Sequence, residues 1–308
     1  MFRSILTYIS QNETIKKFVM EFPLSRKMSK RFVVGEKSAE AVDAIKILNG
    51  NEISATLDHL GENVKDEKDA VASVQAYLEM LEKIKRSGID SHVSLKLTQM
   101  GLDIGEDFCF RNMEEIVKLA SRYSNFARVD MEGSPYTQKT LDIFYRLRKN
   151  HKNVGIVIQA YLYRSEKDIE NLIENGAGVR LCKGAYMESA DIAFPKKKNV
   201  DKNYLKLVEM LLSEKARKKG VYPAIATHDK KIIEWVKGYT TKNSIDRNAF
   251  EFQMLYGIRR DLQKKLVEEG YRVRVYVPYG DQWYPYFMRR LAERPANLIF
   301  LLKNILID

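Results

Sequence analysis

The chain has 308 residues, 45% of them hydrophobic, which is enough material for one large domain or two small ones with a full core. Its 52 Lys and Arg against 41 Asp and Glu leave a net charge of +11, which suits nucleic acid, anionic lipid or anionic small molecules without choosing among them. Two cysteines, Cys109 and Cys182, are too few and too far apart for a disulfide framework or a C-x-x-C metal or redox motif, so composition excludes a disulfide-stapled secreted scaffold and points to a reducing compartment.

The N-terminus, MFRSILTYISQNETIKKFVM, mixes polar and charged residues too early to form the apolar core of a signal peptide. Residues 1–50 read as a helical segment ahead of a domain spanning 51–308. Eight β-rich runs follow: ISATLDHL from Ile53, SHVSLKLT from Ser91, FARVDME from Phe126, VGIVIQAY from Val154, GVRLCKG from Gly178, YPAIATH from Tyr222, FEFQML from Phe250 and RVRVYVPYG from Arg272. Amphipathic helical patterns lie between them, among them 66–88 and 201–220, each closed by a glycine. Eight β-then-α units without a compositional break predict an α/β fold, a (β/α)8 TIM-type barrel, in preference to an open doubly wound sheet. No G-x-G-x-x-G or P-loop motif follows any strand. The charge run FPKKKNVDKN, 194–203, falls in a β-to-α connection and reads either as a solvated loop or as an anion-gathering lid. No stretch of about 18 apolar residues spans a membrane, and the closing LIFLLKNILID docks on the fold, on a partner or on a bilayer surface, the first being the plainest reading.

In such a barrel, chemistry collects at the carboxyl ends of the strands. There the sequence places Asp58 and Glu62, Lys96, Asp130, Gln159, Arg180 and Lys183, Thr227 and His228, Gln253, and Tyr276. Each alone has a dull explanation, but eight coincident strand ends are harder to set aside. In VSLKL, Lys96 shares parity with Ser94 and Thr98, opposite Val93, Leu95 and Leu97, and therefore points into the mouth, where a cation needs an anionic partner. Near the C-terminus Tyr286, Arg289, Arg290 and Glu293 form one helical stripe, and Phe287, Met288 and Leu291 another. A helix flat on the barrel wall gives the arginines to solvent; one lying across the mouth aims them at the site, and the dry rim of Trp283, Tyr284 and Tyr286 favours the latter. Arg289, Arg290 and Lys96 would then clamp a carboxylate, with Tyr186, Tyr276 and Leu181 as apolar walls for a small ring or aliphatic body. The spacing does not disclose the reaction.

These motifs resemble those of the proline dehydrogenase family, over roughly Ile53 to Asn297. In order they are L-D-H-L-G-E (57–62), S-L-K-L (94–97), R-V-D-M-E (128–132), Q-A-Y (159–161), R-L-C-K-G-A-Y (180–186), A-T-H (226–228), F-E-F-Q-M-L-Y-G (250–257), Y-V-P-Y-G (276–280) and Y-F-M-R-R-L-A-E (286–293). The pair R-L-x-K-G-A-Y and double-arginine helix is highly specific. The chain resembles the single-domain form, without the DNA-binding and aldehyde dehydrogenase domains of the fused bacterial enzymes. The resemblance implies FAD held non-covalently by the barrel, lined by Asp130, Met131, Gln159, Arg180, Cys182, Lys183, Gly184, Ala185, Thr227, His228, Gln253 and Glu293. It implies that Lys96, Arg289 and Arg290 take the carboxylate of L-proline and that Leu181, Tyr186, Tyr276 and Tyr286 cover its ring. It further implies that Tyr276 crowds the ring's C4 position, that Asp58 orients Lys96, and that Glu62 pairs with Arg289 as a gate.

By the same resemblance the reaction is oxidation of L-proline to 1-pyrroline-5-carboxylate, the first step of proline catabolism to glutamate. Hydride passes from proline C5 to flavin N5, and the electrons go on to quinone or another acceptor. A separate pyrroline-5-carboxylate dehydrogenase is the implied partner. The implied location is cytoplasmic, with peripheral contact at the inner face of the membrane favoured by the basic surface and the apolar tail. Three positions depart from the family pattern: His59 stands for an apolar residue, Met187 for an aromatic and Asp229 for asparagine. Two rival readings remain. A Schiff-base lyase would use Lys96 or Lys183 as its amine, and a nucleic-acid scaffold would need the basic residues gathered into a stripe, whereas here they alternate with acids.

Overall fold

The computed structural model describes residues 28–292, including the backbone but not the side chains of 291 and 292. Ten α-helices and eight strands alternate in it. They are α1 (Ser38–Asn49), β1 (Ser54–His59), α2 (Glu67–Ser87), β2 (Ser91–Leu95), α3 (Glu106–Arg122), β3 (Ala127–Val129), α4 (Ser134–Asn150), β4 (Val154–Gln159), α5 (Ser165–Glu174), β5 (Gly178–Cys182), α6 (Lys197–Leu212), α7 (Glu214–Lys218), β6 (Tyr222–Ala226), α8 (Lys230–Lys242), β7 (Glu251–Leu255), α9 (Arg260–Glu268), β8 (Val273–Tyr279) and α10 (Trp283–Ala292). The strands are parallel, each pairs with its sequence neighbour, and β1 closes on β8, so the expected (β/α)8 barrel is the fold.

Local chemistry sets the boundaries. Asp66 caps α2 by accepting from Asp69 N–H at 2.9 Å, acids fill its first turn and Lys85 and Arg86 its last, and Gly88 ends it in the left-handed region at φ 64°. The 201–220 pattern differs from a single helix. α6 begins earlier, at Lys197, so the second half of the charge run is helical; the chain then breaks at Ser213, whose hydroxyl caps the short α7 by accepting from Ala216 N–H. Serine competes for backbone donors in this way, and it outweighs the apolar periodicity.

The register sorts the strand residues into two sets. Ala55, Leu57, Val93, Leu95, Val129, Ile156, Ile158, Val179, Leu181, Ile225, Phe252, Met254, Val275 and Val277 share the outward parity and are buried under the helices in one continuous core. The inward set is mostly polar: Asp58, His92, Ser94, Arg128, Asp130, Gln159, Arg180, Glu251, Gln253, Arg274 and Tyr276. Gly155 and Gly178 make room for it, since a Cβ on Gly155 would lie 3.0 Å from the Arg128 guanidinium. A lumen lined by ions in place of aliphatic layers is what equips the mouth for chemistry.

A second, smaller core closes the rim. Phe32, Val33, Leu60 and Ile258 pack with Trp283, Tyr284, Phe287 and Met288 of α10. Gly257, at φ 73°, lets the 28–35 segment pass so close that a Cβ there would meet Arg31 O at 1.7 Å. These contacts seat α10 across the barrel mouth and leave its arginine stripe facing the site, not the solvent.

Candidate active site

Asp58 of β1, wholly buried, is the centre of the mouth. Lys96 Nζ lies 3.3 Å from its Oδ2, the Tyr276 hydroxyl 2.6 Å from the same oxygen, and the Tyr77 hydroxyl 3.1 Å from Oδ1. The single phenol hydrogen of Tyr276 is shared with Asp130 Oδ2 at 3.1 Å. Asp130 Oδ1 in turn accepts from Ser94 Oγ at 2.6 Å and from Arg180 Nη1 at 2.8 Å. Arg180 stacks on the Tyr276 ring, 5.3 Å from its centroid, and its Nε donates to Gln253 Oε1 at 2.5 Å. Residues in or just past β1, β2, β3, β5, β7 and β8 therefore meet in one network.

α10 supplies the lid. Arg289 Nη1 donates to Glu62 Oε1 at 2.9 Å and its guanidinium lies 5.9 Å from the Tyr186 ring centroid; Arg290, 9% exposed, lies 5.0 Å from that of Tyr286. Burial works against the charges here, and the partners outweigh it. Asp58, Asp130 and Glu62 hold the Lys96 ammonium well above its ordinary pKa despite desolvation, and Glu62 does the same for Arg289. Glu62, although also desolvated, is held below the usual carboxylate value by Arg289 and Lys96. Tyr186 is pushed up to about 12, mainly by burial, and feels Arg289, Glu62 and Lys96. Lys96, Glu62, Arg289 and Tyr186 are thus one electrostatic unit. An ammonium locked in its charged form is the opposite of an amine nucleophile, which removes the Schiff-base reading from Lys96.

The remaining predicted residues ring this unit. Gln159 Nε2 donates to Glu132 O at 2.8 Å, next to Met131, which is buried. His228 Nε2 accepts from Leu255 N–H at 3.0 Å, which leaves its proton on Nδ1, and Thr227 Oγ1 accepts from Asp229 N–H at 3.1 Å. Lys183 lies between Asp201 at 2.6 Å and Asp229 at 2.8 Å, and Lys197, from the charge run, pairs with the same two carboxylates. Burial pushes the Cys182 thiol up to about 11, so it is neutral at pH 7. Gly184 sits at φ 112°, where a Cβ would fall 2.2 Å from the Tyr161 ring, followed by the half-buried Ala185. Leu181 is apart from the rest: it pairs in register with Ile158 and Ile225, on the outward face, and lies in the core between strands and helices. Glu293 and the closing LIFLLKNILID fall outside the described residues.

Of the three departures, Asp229 caps α8 and holds Lys183, Met187 is half exposed, and His59 packs on Tyr77 and Tyr279 with a buried Nδ1 that has no partner among the described residues. Residues to which the sequence alone assigns no role also converge on the mouth: Ser94, Tyr77 and Glu132. Glu132 is buried, accepts from Thr98 N–H at 3.1 Å and Oγ1 at 2.6 Å, and is raised to about 7 by desolvation. Ser94 was within reach of the parity argument made for Lys96; Tyr77, in a helix, carries no such signal.

Among known proteins, the family model described as proline dehydrogenase matches residues 41–303. Proline dehydrogenase 1 of Bacillus subtilis subsp. natto is 42% identical over 99% of this chain and 99% of its own length. Proline dehydrogenase of Deinococcus radiodurans is 41% identical over 91% of this chain and 90% of its own. In the crystal structure of proline utilization A from Bdellovibrio bacteriovorus inactivated by N-propargylglycine, 38% of that chain superposes on 94% of this one, with a TM-score of 0.81 and 27% identity. With this lid, this cationic rim and these matches over nearly its whole length, the chain belongs to the proline dehydrogenase family.

Proposed function

We propose that the chain oxidises L-proline to 1-pyrroline-5-carboxylate, the opening step of proline catabolism, with FAD as its cofactor. The observation that carries this reading is the pairing of Lys96 with Asp58 and of Arg289 with Glu62 at one aromatic rim, with Arg290 next along the same helix against the Tyr286 ring. Each charge-assisted bond from such a cation to a carboxylate contributes about 1.5–3 kcal/mol.

The residues fit a flavin. Arg180 Nη2 is buried without an acceptor among the described residues, as a donor reserved for an absent planar acceptor would be. Gly184, against which the Tyr161 ring packs, bends the Lys183–Ala185 stretch at φ 112°, a turn that glycine takes without strain. Gln159, Arg180, Cys182, Lys183, Gly184, Ala185, Thr227, His228 and Gln253 would hold it, with Asp130 and Met131 beside them; Glu293 is proposed with this set on the sequence resemblance alone. When bound, FAD supplies the acceptor for the C5 hydride.

The chain's own groups do the rest. The clamp fixes the carboxylate, and Tyr186, Tyr276 and Tyr286 wall the ring. The Tyr276 ring, pinned by Asp58 and Asp130, crowds C4 and disfavours a hydroxyl there. Hydride can leave C5 only when the ring nitrogen has a free lone pair to form the C=N bond, so the free amine is the reacting form. Opening of the Arg289–Glu62 bond admits substrate, and its closure excludes water. Quinone is the proposed final acceptor, and a separate pyrroline-5-carboxylate dehydrogenase the proposed consumer of product. Among the described residues no helix is long and apolar enough to cross a membrane, so contact with a membrane acceptor would be peripheral. The test is anaerobic: purified protein should be yellow, release FAD on denaturation and lose its visible flavin band on addition of L-proline. A folded, colourless protein indifferent to FAD would overturn the proposal.

A further inference from the structure

The lumen carries a second ionic network that the reaction as described does not use. Arg128, Arg180 and Arg274 are each 7% exposed or less. Arg274 Nε is 3.0 and 3.1 Å from the two oxygens of Glu251, and its Nη1 donates to Ala55 O at 2.7 Å. Glu251, 4% exposed, also accepts from Gln253 Nε2, while Gln253 Oε1 accepts from Arg180 Nε. A glutamine amide can face either way in a network, but its neighbours here leave it no choice. Arg180 has only donors to offer and an ionised Glu251 only acceptors, so the amide oxygen must face the arginine and the NH2 the glutamate. Glu251 therefore sets the polarity of Gln253, and through it the orientation of Arg180, whose opposite edge is tied to Asp130 and Ser94. Small residues allow this reach: on the inward parity of β6, Ala224 is in register with both Arg180 and Glu251, and Ala226 with Gln253.

Charge matters as well as geometry. Glu251, at the first residue of β7, is the buried carboxylate against Arg274 at the N-terminal end of the lumen, where the exposed Asp90 also lies 3.8 Å from Arg274 Nη1, while Asp58 and Asp130 balance the cations of the mouth. Removing its charge makes the whole lumen more positive. A unit charge roughly 12 Å from a reacting group, in an effective dielectric of about 20, changes an equilibrium about tenfold.

We infer that Glu251 is a positioning residue for the flavin chemistry: it fixes the Gln253 amide, presents Arg180 to the mouth and sets the reduction potential of the flavin from the far side of the barrel. The inference rests on the FAD reading above. The test is Glu251→Gln in the FAD-loaded full chain, with the flavin titrated anaerobically against a reference dye. The variant should keep its FAD but shift the dye equilibrium about tenfold toward reduced flavin, an upward shift of about 30 mV for a two-electron couple. The KM for proline should change little, because the carboxylate clamp is untouched. Arg274→Gln, the complementary change, should shift the equilibrium the other way, and the double variant, neutral at both positions, should return it close to the native value. Loosened packing alone would not produce opposite signs or their cancellation. A potential unmoved or lowered in Glu251→Gln would overturn the inference while leaving the cofactor reading intact. Loss of folding in both single variants would reduce the network to a structural one and overturn it equally. A native protein without flavin would instead sink the reading on which it rests.

Discussion

Replacing Lys96 by Met separates the two things its ammonium does. The side chain is buried 3.3 Å from Asp58, which is itself fully buried, so the substitution strands a carboxylate in the barrel mouth. Breaking a buried pair from one side costs about 3–5 kcal/mol, and since Asp58 keeps the hydroxyls of Tyr77 and Tyr276, the lower end applies. For a chain of this size that lowers Tm by about 5 °C. The loss of one charge-assisted bond to the substrate carboxylate, about 1.5–3 kcal/mol, raises the KM for proline about 10- to 150-fold. The double variant Lys96→Met/Asp58→Asn leaves no charge unpaired, so it should recover most of the Tm and none of the KM. Thermal melts and steady-state kinetics on the three proteins suffice. A KM that is unchanged in the single variant, or recovered in the double, would show that Lys96 serves only to neutralise Asp58.

Three further outcomes follow from the geometry. Arg289→Met should raise the KM for proline by about tenfold or more while FAD affinity, read by fluorescence, stays within a few-fold; weakened FAD binding with unchanged KM would reassign the residue to the cofactor. Glu132 is raised to about 7 in the folded state, so the native state binds its proton more tightly than the unfolded chain, and stability falls as pH rises from about 4.5 to 7, by about 3 kcal/mol in all. Glu132→Gln should remove that slope from a Tm-versus-pH series, and an unaltered slope would refute the cause assigned. Gly184→Ala forces a Cβ into the Tyr161 ring at a positive φ, costing about 1–3 kcal/mol, and should release FAD; full retention would place the cofactor away from this stretch.

Much of this fold was legible because β and α periods alternate cleanly: every strand falls inside its predicted run, and the parity of Lys96 placed it correctly in the mouth. The same parity, applied one residue further along β5, separates Leu181 from Arg180, since neighbours in a strand face opposite ways. The break at Ser213 was not legible, because a serine within an amphipathic pattern looks like a solvent-facing position until its hydroxyl is seen capping the next helix. Nor was the ionic lumen: Arg128, Glu251 and Arg274 read as the polar half of alternating strands, and only barrel closure turns that half inward. The Arg289–Glu62 pair joins positions 227 residues apart, and nothing local in either segment could announce it.

The central claim is that three cations meet at one carboxylate. A crystal structure of the FAD-loaded protein with tetrahydrofuran-2-carboxylate, a ring acid that lacks the oxidisable amine, tests it most directly. The ligand's carboxylate oxygens should lie about 2.7–2.9 Å from Lys96 Nζ and from the guanidinium nitrogens of Arg289 and Arg290. The acid bound in the mouth with both guanidiniums turned out to solvent would contradict it.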